Sequence, residues 1–215
     1  GPLKRSSFVP AGKWQKIKME TGAHDEDNPW LPYLKRIVQE FNDCPNEFLK
    51  KQTTAFTIHP VEDELSLNYL EEMKADPFAA SEILTRLSEI PFGTPSLVQS
   101  FPFASHMTIQ HAYYLDLIKR KFGKFFGVDD FASITEIGGG YGNFCRLSYS
   151  MGYEGEYNII DFPEMQRIQE NYLSFSLTKK QKDQFGFYDL SFLSRGKIEK
   201  NSLLLASFSY SEMSK

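Results

Sequence analysis

The stretch Ile134-Thr135-Glu136-Ile137-Gly138-Gly139-Gly140-Tyr141-Gly142-Asn143-Phe144 changes character in its middle, from a β-type run to a segment with helical spacing. Between the two, four of the five residues from 138 to 142 are glycine. A glycine-rich turn from strand to helix lets backbone pass close to a ligand and points the helix N-terminus, with its orphan N–H groups, at a negative group. One glycine is enough for a tight turn that binds nothing. Four glycines with an acidic residue at the strand end point to a ligand.

Working outward, Ser133 to Ile137 reads as a strand and Asn143 to Met151 as a helix closed by Gly152. Tyr157 to Ile160 is a second strand ending on Asp161, and Pro163 to Leu173 a second helix. Phe185 to Tyr188 and Leu203 to Phe208 make a third and a fourth strand. Strand and helix alternate, which predicts an α/β fold with a parallel sheet covered by helices. This α/β part begins near residue 130.

The spacing of the glycines bears on the ligand. The dinucleotide fingerprint is G-x-G-x-x-G. Counted from Gly138 its third glycine falls at 143, which is Asn. The pattern present is acidic-x-Gly-x-Gly-x-Gly, carried by Glu136, Gly138, Gly140 and Gly142. A parallel βαβ unit of this kind also offers an acidic side chain about 20 residues on, at the end of the next strand, to accept ribose hydroxyls. Asp161 lies 19 residues after Gly142 and meets that requirement. Its carboxylate has two acceptor oxygens for a vicinal diol. Phe162 beside it could cover an adenine face. A bland alternative makes Asp161 a helix cap ahead of Pro163.

The acidic-x-Gly-x-Gly-x-Gly pattern resembles motif I of the class I S-adenosylmethionine-dependent methyltransferases. More narrowly, Glu136 to Gly142, Ile160 to Glu164 and Ser209 to Met213 together resemble the sugar O-methyltransferase family of bacterial polysaccharide gene clusters. That resemblance covers roughly residues 105 to 215. It implies a Rossmann-like sheet and S-adenosyl-L-methionine as cofactor, with a sugar, nucleotide sugar or glycan as methyl acceptor. Glu136 would lie near the amino group of the methionine moiety, the turn including Tyr141 would wrap its backbone, and Asp161 and Phe162 would take the adenosine. Class I sheets normally continue through three more strands, so the expectation is a sheet truncated after its fourth.

Methyl transfer to a hydroxyl needs a base. Glu212, just after the fourth strand, is one candidate, with Ser209 and Ser211 as donors to a polyol. His106 is the other: at a helix N-terminus the dipole favours its neutral, basic form. His111, five residues on, shares no helix face with it.

The N-terminal portion is read as an irregular arm (1–30) and a mainly helical region (31–130), a cover over the acceptor site. Gly1-Pro2-Leu3 resembles the scar of a cleaved expression tag. Leu34, Ile37, Val38 and Phe41 predict a helix over 31–42. Asp76-Pro77 opens another, running with Ile83, Leu84, Leu87 and Ile90 up to Pro91. Residues 91–104 hold three prolines and a glycine and read as a loop. Ser105 caps a helix running to about Phe126 and stopped by Gly127. Lys119, Arg120, Lys121 and Lys124 are read as cations complementing the end of that helix, rather than as a phosphate patch.

Composition narrows the classes. Over 215 residues the net charge is −4, with 24 basic and 28 acidic side chains, so there is no basic footprint for nucleic acid. No run approaches the ~18 apolar residues of a membrane span. Cys44 and Cys145 form no ligand spacing, and Asp129-Asp130 and Asp25-Glu26-Asp27 look like loop charges, so no metal is expected. A cytoplasmic location is expected, and a homo-oligomer is left open. Two other functions share the glycine turn: a NAD-dependent oxidoreductase, and a non-catalytic methyltransferase-like interaction module using the 15% aromatic content.

Overall fold

The computed structural model describes residues 16–20, 28–59, 63–123, 131–189, 191–192 and 201–206. The chain divides into two units, one of residues 16–125 and one that includes residues 126–215.

In the first unit, Leu31–Asp43 forms α1, and the four apolar residues that predict it, Leu34, Ile37, Val38 and Phe41, are all buried. A 3₁₀ stretch, Pro45–Lys50, leads to α2 (Gln52–Thr57). Glu40 of α1 reaches the start of α2 and accepts from the Thr53 N–H (3.0 Å), the Thr54 N–H (2.9 Å) and the Thr54 hydroxyl (2.9 Å). A carboxylate there satisfies orphan donors and complements the dipole. Of the lead-in arm, Ile17 is held by the Asn42 amide, which both accepts from its N–H and donates to its carbonyl at 2.8 Å.

Asp63–Ala75 is α3. Asp76 caps the next helical run, as predicted, accepting the Ala79 N–H at 2.7 Å. The continuous α-helix expected up to Ile90 does not form. The run becomes a π-turn at Ala79–Ile83 and a 3₁₀ turn at Leu84–Arg86, and Leu87 is already extended. The π-turn adds a residue to the turn and so shifts the phase that periodicity assumes.

Residues 91–104 are likewise more ordered than a loop. Leu97–Val98 (β1) pairs antiparallel with Phe101–Ser105 (β2). A two-stranded ribbon consists only of edges, which is where Pro102 can sit in a strand. Ser105 then caps α4 (His106–Phe122), accepting from the Thr108 N–H, as predicted. The helix ends earlier than expected, at Gly123 with φ +72°. Lys119 donates to the Gly123 carbonyl (2.9 Å), and Arg120 pairs with Asp116 at 3.0 Å. Lys119 also lies over the Phe78 ring, 5.0 Å from its centroid, and Arg120 comes within 3.9 Å of Glu72 of α3; Lys124 lies outside the described residues.

The second unit is mixed α/β. Its elements are β3 (Ser133–Ile137), α5 (Asn143–Ser150), β4 (Glu156–Ile160), α6 (Pro163–Ser176), α7 (Lys179–Asp183), β5 (Phe185–Tyr188) and β6 (Ser202–Leu205). The four strands form one parallel sheet in the order β5-β4-β3-β6. The chain builds outward from β3 to β5 and then returns to lay β6 on the other side of β3. Ile134, Tyr157, Ile159, Ile168, Tyr172 and Leu173 are among its buried core residues. No helix among the described residues is long and apolar enough to cross a membrane.

Candidate functional site

The glycine turn, Glu136 and Asp161 lie at or just past the carboxyl ends of the interior strands, β3 and β4. These strands run in parallel register, with Ile137 opposite Ile160. The Gly138 N–H donates to the Ile160 carbonyl at 2.9 Å. The glycine turn therefore starts while still fastened to β4, one residue short of Asp161.

Two glycines of the turn have different reasons to be there. Gly142 is the N-cap of α5 at φ +96°, and a Cβ on it would sit 3.2 Å from Leu173 Cγ of α6. That position is a packing requirement. Gly140 has φ +55°, but among the described residues a Cβ there would meet nothing within 4 Å. Its bare backbone faces open space, as a cradle for a ligand requires.

Asp161 is half-buried beside this turn. Its Oδ1 accepts the Phe162 N–H at 2.8 Å and its Oδ2 accepts from Gln169 Nε2 at 2.7 Å. Burial pushes its carboxyl up to about 7, against the donors from Phe162, Gln169 and Gly139 that favour the charged form. The cap of α6 is Phe162, not Asp161; Asp161 stands one residue outside the helix, where its carboxylate takes the Phe162 N–H.

Glu136 is 3% exposed, and its Oε2 accepts the Tyr157 hydroxyl at 2.8 Å. A Cβ on Gly139 would lie 3.2 Å from the same oxygen, so the side chain lies under the turn. Burial pushes this carboxyl up to about 7, the Tyr157 hydroxyl pulls it down and the Asp161 charge adds to the rise. Two carboxyl groups that burial pushes up thus lie at the turn and the strand end, a common mark of functional sites.

The other predicted residues take varied places. The Tyr141 ring is in the core, edge-on to Tyr172 with centroids 4.9 Å apart. Phe162 is half-exposed at the start of α6. Asn143, at the place where a dinucleotide fingerprint has its third glycine, is a buried hub. Its Oδ1 accepts from the Tyr172 hydroxyl (3.0 Å), Arg146 Nε (2.9 Å) and Arg146 Nη2 (2.8 Å). His106 is the first residue of α4, buried, and belongs to the other unit. Glu212, Ser209 and Ser211 lie outside the described residues. No group of three His, Cys, Asp or Glu suited to a metal occurs among the described residues.

Two site residues escape a reading of the sequence. Gln169 bridges the rim, donating to both Asp161 Oδ2 (2.7 Å) and the Gly140 carbonyl (3.0 Å). Gln166, one turn earlier, donates to the Asp161 carbonyl (2.9 Å) and the Tyr188 carbonyl (2.8 Å). Their one signal is a pair of glutamines three apart on the same helix as Met165, Ile168 and Tyr172, immediately after Asp161. No protein-family model, curated protein or solved structure gave a significant match to the chain.

Proposed function

We propose that this chain is an S-adenosylmethionine-dependent O-methyltransferase whose acceptor is a sugar, nucleotide sugar or glycan hydroxyl, and that its α/β unit is a Rossmann-like class I sheet. The observation that carries the reading is the pairing, on adjacent parallel strands, of an open left-handed Gly140 with the half-buried Asp161 carboxylate. The strand order β5-β4-β3-β6 also agrees with the first four strands of a doubly wound sheet, where ligands take the crevice beyond the strand ends. The order of motifs in the sequence supports the acceptor class.

On this reading Asp161 accepts a ribose hydroxyl, the turn from Gly138 to Gly142 lies along the methionine backbone, and Phe162 flanks the adenine. Glu136, buried under the turn, supports it from below. S-adenosylmethionine, when bound, supplies a methyl group already activated by its sulfonium. The protein's own part is to align the acceptor, which can supply several kcal/mol of the barrier, and to take its proton. Base catalysis contributes roughly a hundredfold or more, and His106 and Glu212 are its two candidates.

Calorimetry with S-adenosylhomocysteine is the direct test. Micromolar binding that is lost in Asp161→Ala supports the reading. No binding, or binding indifferent to Asp161, overturns it. A fluorescence titration with NADH addresses the oxidoreductase alternative, against which the Asn143 hub argues. Binding of the cofactor without methyl transfer to any of a panel of nucleotide sugars and glycans would favour the non-catalytic module.

A further inference from the structure

We propose that Gln169 is the positioning residue of this site: its amide ties Asp161 to the Gly140 carbonyl, so that the ribose-accepting carboxylate and the glycine turn are held as one unit. The inference rests on the cofactor reading above and adds to it a residue that no motif contains.

The geometry leaves the amide one orientation. Both of its N–H hydrogens go to acceptors, a carboxylate oxygen at 2.7 Å and a peptide carbonyl at 3.0 Å. With oxygen and nitrogen exchanged, the amide oxygen would face two acceptors. Gln169 is fully buried, and among the described residues its Oε1 meets no donor. A buried acceptor without a partner is unfavourable, so the fold keeps this amide despite that cost.

The arrangement also leaves Asp161 usable. A carboxylate has about four acceptor positions. Phe162 and Gln169 each fill one, on different oxygens, and the Gly139 N–H takes a third, which leaves about one for a ribose hydroxyl. An arginine in the place of Gln169 would fill two positions and neutralise the charge; a neutral amide orients the carboxylate without competing for it. Gln166 fastens the backbone on either side of the site, through the Asp161 and Tyr188 carbonyls. α6 therefore meets Asp161 with two uncharged amides, β3 contributes the Glu136 carboxyl with Tyr157 behind it, and the turn contributes the Gly139 N–H.

The test uses the full chain, Gln169→Met and Gln169→Glu. It combines calorimetry with S-adenosylhomocysteine from pH 5.5 to 9 and a carbon-detected NMR titration of the Asp161 carboxyl in ligand-free protein. Loss of the donor should weaken binding about tenfold at neutral pH. It should also move the Asp161 midpoint, and with it the acid limb of binding, upward by about half a unit or more. Gln169→Glu should weaken binding most at alkaline pH, where two carboxylates oppose each other. It also provides a reading if Gln169→Met does not fold.

A merely structural glutamine would lower the melting temperature and leave the affinity for S-adenosylhomocysteine and its pH profile in place. That result in folded variants overturns the proposal while the cofactor reading stands. Absence of S-adenosylhomocysteine binding by the wild-type chain removes the cofactor reading itself, and the ribose role of Gln169 with it.

Discussion

The Tyr157 hydroxyl donates to Glu136 Oε2 at 2.8 Å, joining two neighbouring interior strands by a buried side-chain bond directly beneath the glycine turn. Tyr157→Phe removes the donor that favours the charged carboxyl, so Glu136 should titrate still higher. The loss of one buried hydrogen bond should lower stability by about 1–3 kcal/mol at pH 7, measured by urea unfolding.

The same pair sets a pH dependence. Glu136 is raised from the ordinary 4.5 to about 7, so between those values the folded state holds a proton that the unfolded chain releases. Its contribution to stability is therefore full below pH 4.5 and falls as pH rises through 7. Glu136→Gln should flatten that fall, seen as a melting-temperature difference from wild type that grows from pH 5 to pH 8. Ligand affinity should run the other way, because Asp161 must be ionised to accept a ribose hydroxyl.

His59 gives the opposite slope. Burial lowers its imidazole from 6.5 to about 4, the Glu89 charge works against that fall, and His106 adds to it. The unfolded chain takes up the proton first, so stability is full above pH 6.5 and lost as pH drops toward 4. His59→Leu should remove this acid limb, measured by thermal melts between pH 4 and 7.

Two glycine substitutions should separate folding from binding. Gly142→Ala combines φ +96° with a Cβ 3.2 Å from Leu173 Cγ. It should cost on the order of 1–3 kcal/mol. Gly140→Asn enters open space at φ +55°, a conformation that Asn adopts readily. It should melt close to wild type yet bind S-adenosylhomocysteine at least tenfold more weakly, by calorimetry.

Glu40 offers a test in the helical unit. Burial alone would raise its carboxyl, but the donors from Thr53 and Thr54 hold it below its ordinary value. Glu40→Ala leaves the first turn of α2 without its acceptor and should cost roughly 0.5–2 kcal/mol, as a shift in the urea midpoint. Because the carboxylate is favoured in the folded state, its contribution is present above about pH 4.5 and lost below it.

How far each element can be read from sequence depends on how local its signal is. β3, α5, β4, the start of α6 and β5 are readable because apolar runs, glycine and proline punctuate them within a few residues. α3 is not, since Asp63–Ala75 carries a weak apolar stripe between two acidic pairs, with Leu70 and Met73 among its few buried apolar side chains. The β1–β2 ribbon is hidden by Pro102, and the π-turn at Ala79–Ile83 breaks the phase beyond it. At the site, Glu136, Gly140 and Asp161 stand in a linear pattern. Gln169 does not, because its role arises only when α6 folds back beside the turn that ends β3. That Tyr141 points into the core is likewise a matter of packing, which spacing does not encode.

The position of β3 and β4 inside the sheet, each with a hydrogen-bonded neighbour on both sides, has a kinetic consequence. Edge strands fray first in amide hydrogen exchange, and interior pairs open last. The Gly138 N–H, bonded to Ile160 on this interior pair, should exchange among the slowest in its unit. The rim that carries Asp161 and Gly140 is then built on the slowest-opening part of the sheet, so its geometry persists through fluctuations that loosen the periphery.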